Sequence, residues 1–166
     1  MPGTGKGIYI KSNPSCGLDY DRAGRLVQKT AIIEGIAYEN VTITKPVWWP
    51  VWIGPQQQHE PGSPLGSKCG LLYPLTPHCP TQGCATFANI SLRNVLIDDP
   101  LLSPGFILGN ASNPMKAVAF ENVRVRFSND KPLRGAFPLG RKFLCEHAQV
   151  SSAGGTTPEP MCSSPR

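Results

Sequence analysis

Ile36-Ala37-Tyr38-Glu39-Asn40-Val41-Thr42-Ile43 aligns without gaps with Ile90-Ser91-Leu92-Arg93-Asn94-Val95-Leu96-Ile97 and with Val118-Ala119-Phe120-Glu121-Asn122-Val123-Arg124-Val125. The shared pattern is Ile/Val-x-Tyr/Leu/Phe-Glu/Arg-Asn-Val-x-Ile/Val. An apolar residue at every second position marks a strand with one buried face. Here the period slips by one at the Asn, so the strand has to bend there. Asn tolerates the left-handed region, and identical Asn residues stacked strand on strand can join their amides in a ladder. Asn40, Asn94 and Asn122 are therefore read as structural bends. Their spacings of 54 and 28 residues match about two turns and one turn of a stack whose repeats run about 20 to 50 residues. A long insertion in a single turn would also account for the larger one.

The similarity runs on past the Asn. Asn40 leads to Pro46, Pro50, Trp52 and Ile53 at the same offsets at which Asn94 leads to Pro100, Pro104, Phe106 and Ile107. A whole coil is thus repeated, and the fold expected is an all-β parallel solenoid. The stretch 55–84, rich in Pro, Gly and Gln and holding three cysteines, reads as a loop thrown out from it. From about Arg141 the pattern fades. Residues 1–140 are thus expected to form a partial domain, incomplete at its N-terminal end, and 141–166 an extended or disordered tail, pinned where Cys145 and Cys162 allow. An uncapped first coil would expose an apolar edge, so the isolated chain is expected to aggregate.

Composition agrees with strands and turns. The 166 residues include 18 Pro and 17 Gly, about a fifth of the chain against a usual ~12%, and Pro disfavours helix. The longest apolar run, around Trp48, Trp49 and Trp52, is far short of the ~20 residues of a membrane span, so no membrane association is expected. A net charge of +5 suits an anionic partner, but Lys and Arg are scattered and no nucleic-acid-binding motif is present. Six cysteines, Cys16, Cys69, Cys79, Cys84, Cys145 and Cys162, favour disulfides and an oxidising compartment, with the pairing left open. Pro2-Gly3-Thr4-Gly5 after Met1 offers no basic or apolar stretch, so no signal peptide is expected there; the two readings are reconciled if Met1 is an internal methionine of a longer protein. Cys79 and Cys84 lack the second pair that a zinc site needs, and no metal or other cofactor is expected.

Candidate working residues lie in Gly7-Ile8-Tyr9-Ile10-Lys11-Ser12. If Ile8 and Ile10 face the core, Tyr9 and Lys11 share the other face, ~6.6 Å apart. Lys11 can pair with a carboxylate and the Tyr9 ring can pack on a sugar face. The plain alternative is a solvated lysine beside an aromatic that covers the sheet. Alignment puts Trp52 and Phe106 at the Tyr9 position, so three aromatics either form a platform for a polymer or stack in a column buried under the loop. Among three N-glycosylation sequons, Asn110-Ala111-Ser112 is the better acceptor, because Asn40 occupies a bend and Asn89 abuts a strand.

The coil pattern, the Asn bends and the Gly7–Ser12 strand together resemble the polygalacturonase-like proteins of glycoside hydrolase family 28, over roughly residues 3 to 127. That resemblance implies a right-handed parallel β-helix of the pectin-lyase-like kind. It also implies a pectin-type anionic polysaccharide as substrate, and an extracellular or cell-wall monomer as the full-length protein. The family's strand reads G-x-R-I-K-S/T, with Arg and Lys holding the substrate carboxylate. Lys11 matches, whereas Tyr9 stands where the family has Arg, which removes a bidentate carboxylate partner. The family's acid and base lie in N-T-D and D-D motifs, followed by G-H-G, all before this strand, and none precedes Lys11 here. No catalytic residue is therefore expected in this chain. Asp98-Asp99, directly before Pro100, is read as a turn, as are Asp19 and Asp21.

The expectation is the C-terminal part of a polygalacturonase-like hydrolase, inactive alone, that contributes Lys11 and Tyr9 to a cleft. The rivals are a non-catalytic polysaccharide-binding or scaffold β-helix, and a lyase of related fold, which would need a calcium site that no acidic cluster suggests.

Overall fold

In the computed structural model, which describes residues 5–12, 16–57, 68–70, 72–129 and 131–163, every regular element is a strand. Five strands, β1 (Ile8–Ser12), β5 (Val51–Pro55), β7 (Gly105–Leu108), β9 (Phe143–Glu146) and β11 (Cys162–Ser163), form one parallel sheet in that order. Four others, β4 (Ala31–Thr44), β6 (Ala85–Asp98), β8 (Met115–Arg126) and β10 (Ala148–Ala153), form a second parallel sheet ordered β10-β8-β6-β4. From β4 onward the chain passes from one sheet to the other and back. Between β1 and β4 lies a small antiparallel hairpin, β2 (Leu18–Tyr20) with β3 (Leu26–Gln28).

The gapless alignment of the three repeats is also their register. Ile36, Ile90 and Val118 are neighbours across β4, β6 and β8, as are Tyr38, Leu92 and Phe120, and Val41, Val95 and Val123. These side chains fill the space between the sheets with Ile8, Ile10, Ile53 and Ile107 from the other layer. Each such side chain sealed from water contributes ~1.5 to 3 kcal/mol.

Asn40, Asn94 and Asn122 have φ of 56°, 52° and 53°. Their amides form a ladder: Asn122 Nδ2 donates to Asn94 Oδ1 at 2.8 Å and Asn94 Nδ2 to Asn40 Oδ1 at 3.3 Å. A second column of left-handed residues, Gly35, Asn89 and Ala117, stands earlier on the same strands, with φ of 68°, 52° and 51°. Because β4 pairs directly with β6, the 54-residue spacing is one pass enlarged by an insertion and not two.

Beyond residue 140 the two sheets continue as far as residue 163, which corrects the expectation of an extended or disordered tail over 141–166 for all but its last three residues, which lie outside the described residues. β9 and β11 extend one sheet and β10 the other. Their sequence pattern is faint because the Asn position is taken by Gly154, at φ 65°, where an added Cβ would lie 3.0 Å from Asn122 N. Buried Thr156 then accepts from Val123 N and donates to Ala153 O, tying the chain to β8. Disulfides join Cys16 to Cys84, Cys69 to Cys79 and Cys145 to Cys162, so Cys79 and Cys84 belong to different bonds.

Candidate substrate-binding surface

β1 alternates as its sequence suggests. Ile8 and Ile10 are buried between the sheets, and Tyr9 and Lys11, both half-buried, take the opposite face. The register sets Tyr9 beside Trp52, Trp52 beside Phe106 and Phe106 beside Leu144. Ring centroids lie 6.5 Å apart for Tyr9 and Trp52 and 5.0 Å for Trp52 and Phe106.

Trp52 and Phe106, however, are 0% exposed. The column is a second apolar core on the outer face of the sheet, roofed by Trp49, Cys69 and Tyr73. The roof is local in construction: the Cys69–Cys79 bond and the Gly70 N to His78 O hydrogen bond close the loop, and Cys69 N donates to Gln56 O to fasten it down. Trp52 Nε1 is spent on Pro55 O at 2.8 Å. Neither Trp52 nor Phe106 offers a surface to a polymer. Tyr9, at the edge of the sheet, is the one of the three aromatics that is partly accessible.

The structure adds Lys6 to this place. Its ammonium lies 3.9 Å from the Tyr9 ring centroid and 5.8 Å from that of Trp52. It is covered from water and has no hydrogen-bond acceptor among the described residues. Burial, and then repulsion from Lys11, lowers its pKa to about 8. A cation over an aromatic face is attracted by the ring quadrupole, which is the compensation available to it. No alternation in Gly5-Lys6-Gly7 announces this contact. Tyr9 Oη in turn accepts from Gln57 N at 3.0 Å, which fixes the ring.

The four aspartates singled out in the sequence are occupied elsewhere. Asp98 pairs with Arg126 at 3.1 Å and Asp99, at φ 49°, with Arg134 at 2.8 Å. Asp21 accepts from Ala23 N and Arg25 N in the turn of the hairpin and pairs with Arg25, and Asp19 pairs with Lys29. Backbone hydrogen bonds, reinforced by Arg25 or Lys29, hold both hairpin carboxyls below the usual range. Among the described residues no group of His, Cys, Asp and Glu could hold a metal ion. Asn110 is half-buried, and its Nδ2 donates to both the carbonyl and the hydroxyl of Thr81, so a glycan there would have to displace one of these bonds. On the outer face a cavity of about 150 Å³ lies between Trp48, Trp49, Tyr73 and Phe137 and is apolar throughout.

No protein-family model matches this sequence, and no curated protein or solved structure with which it was compared matches it either.

Proposed function

We propose that this chain is the C-terminal part of a polygalacturonase-like glycoside hydrolase with a right-handed parallel β-helix fold, acting on a pectin-type polysaccharide outside the cell. The observation that carries the reading is the sheet edge at β1, where Lys6, just before the strand, lies over the partly accessible Tyr9 ring and Lys11 shares the face of that ring. A uronate ring has an apolar face for the tyrosine and a carboxylate for an ammonium, so this combination suits an anionic sugar better than a neutral one. The alternation of the chain between two parallel sheets and the three disulfides agree with a secreted β-helix.

Inverting hydrolysis requires an acid and a base with carboxyls ~6.5 to 9.5 Å apart, one to protonate the leaving oxygen and one to activate water. In this reading both come from coils that precede β1, and Lys11 positions the substrate. The ion-paired state of Asp19, Asp21, Asp98 and Asp99 favours a second reading, a β-helix that binds polysaccharide without cleaving it.

The first test is binding of the chain to polygalacturonate and to a neutral glucan at two salt concentrations. The expected result is salt-sensitive retention of the anionic polymer alone, at least about tenfold weaker in Lys11→Ala, given the ~1.5 to 3 kcal/mol of a charged hydrogen bond. Equal binding of both polymers would remove the uronate reading. Sequencing the 5′ end of the transcript then separates the two functions. An open frame encoding N-T-D, D-D and G-H-G supports the hydrolase, and an in-frame stop just before Met1 leaves the binder.

A further inference from the structure

β4 lies at the edge of its sheet, with β6 on one side and no strand on the other among the described residues. Two features of that edge are directional. The amide ladder runs one way, each Asn donating Nδ2 to the Oδ1 of the Asn on the preceding strand. Asn40 therefore has its Oδ1 engaged by Asn94, and its Nδ2 donor is left over among the described residues. Beside the ladder the charges alternate: Arg93 reaches Glu39 at 3.3 Å on one side and Glu121 at 3.4 Å on the other. Continuing the series past Glu39 calls for a base. The inward side chains of this edge, Ile36, Tyr38 and Val41, are half-buried where their counterparts on β6 are sealed.

We infer that the free edge of β4 is the docking surface for a parallel strand from an earlier pass of the same polypeptide, one that presents Lys or Arg beside Glu39 and a side-chain carbonyl beside Asn40. This rests on the reading of the chain as the later part of a longer coil stack. A second copy of the chain fits poorly. Its own far edge, β10, carries Ala153 and Gly154 at the two positions, with neither a base nor an acceptor. Pairing β4 with another β4 would double the glutamates along one seam, and like charges facing each other oppose association.

The probe is a synthetic peptide of residues 87–98, which carries the arginine and the asparagine in the required register. It is added to the full 166-residue chain while hydrogen exchange of the β4 amides that point away from β6 is followed. The expected result is protection of those amides. Binding should weaken about threefold when the peptide carries Glu in place of its Arg, and similarly when it carries Ala in place of its Asn, as befits cross-strand pairs. Glu39→Gln in the chain should erase the preference for Arg over Glu and leave the Asn effect intact. A scrambled peptide that protects equally, or no protection at millimolar peptide, overturns the inference. So does self-association that the peptide does not compete with, which would make a second copy the occupant. An upstream frame without the N-T-D and D-D motifs would end the hydrolase reading while leaving the peptide result standing.

Discussion

β6 and β4 carry the same eight-residue pattern and meet different fates. Ile90, Leu92 and Val95 of β6 are 0%, 0% and 1% exposed, because β4 and β8 flank the strand. Ile36, Tyr38 and Val41 of β4 point the same way and are only half-buried. The pattern specifies which face turns inward; whether that face is dry depends on a neighbouring strand. Part of the burial free energy of each β4 side chain is thus held in reserve.

The sharpest way to break this comparison is to hollow out one position of the same column on two strands. Phe120→Ala, in the sealed part, is expected to destabilise the fold by about 3 to 5 kcal/mol, whereas Tyr38→Ala at the edge should lose roughly 1 kcal/mol, as read from urea midpoints. Similar losses would mean that the edge is covered in solution. The ladder offers a finer contrast. Asn94 exchanges hydrogen bonds with both neighbours and Asn40 with one, and each bond is worth about 1 kcal/mol. Asn94→Ala is expected to cost about 2 kcal/mol and Asn40→Ala about 1, beyond whatever each backbone bend charges equally. Equal effects would assign the role of both residues to backbone conformation alone.

The smallest effect concerns the edge of the other sheet. Lys6 has a folded pKa of about 8 against 10.5 unfolded, so between those values the unfolded chain binds more protons. Stability therefore rises as pH increases through that window. Tyr73, whose hydroxyl is raised above 10 chiefly by burial, works in the opposite direction at higher pH, so the comparison is best made from about pH 7.5 to 9.5. Lys6→Met is expected to be more stable than the parent at the lower end and to lack the upward slope. A parallel pH response in both proteins would show the ammonium to be solvated.

The parts legible in the sequence were those written in chemistry that repeats. Three Asn residues with the same flanks gave the strand register, and the alternation around them gave the inward faces. The second bend column is silent because Gly35, Asn89 and Ala117 share a backbone conformation and no side-chain chemistry. β10 is missed for a related reason: Gly154 replaces the Asn, and the segment is anchored by the hydroxyl of Thr156. At the surface around β1 the alignment of Tyr9, Trp52 and Phe106 could be read from spacing, but the burial of the last two depends on a loop whose fold is set by Cys69–Cys79 and Gln56. Lys6 came from no pattern at all. Its neighbour Gly7 is held close to the next strand, where a Cβ would sit 2.7 Å from Pro50 O.

The Cys16–Cys84 bond encloses 68 residues of sequence separation and spans the step from β1 through β4 and β5 to the start of β6. A protease that cuts once anywhere inside that circuit divides the polypeptide without releasing either piece. The nicked molecule would migrate as intact protein until a reductant is added, and the edge strand, with whatever it recruits, would remain tethered to the sheet behind it.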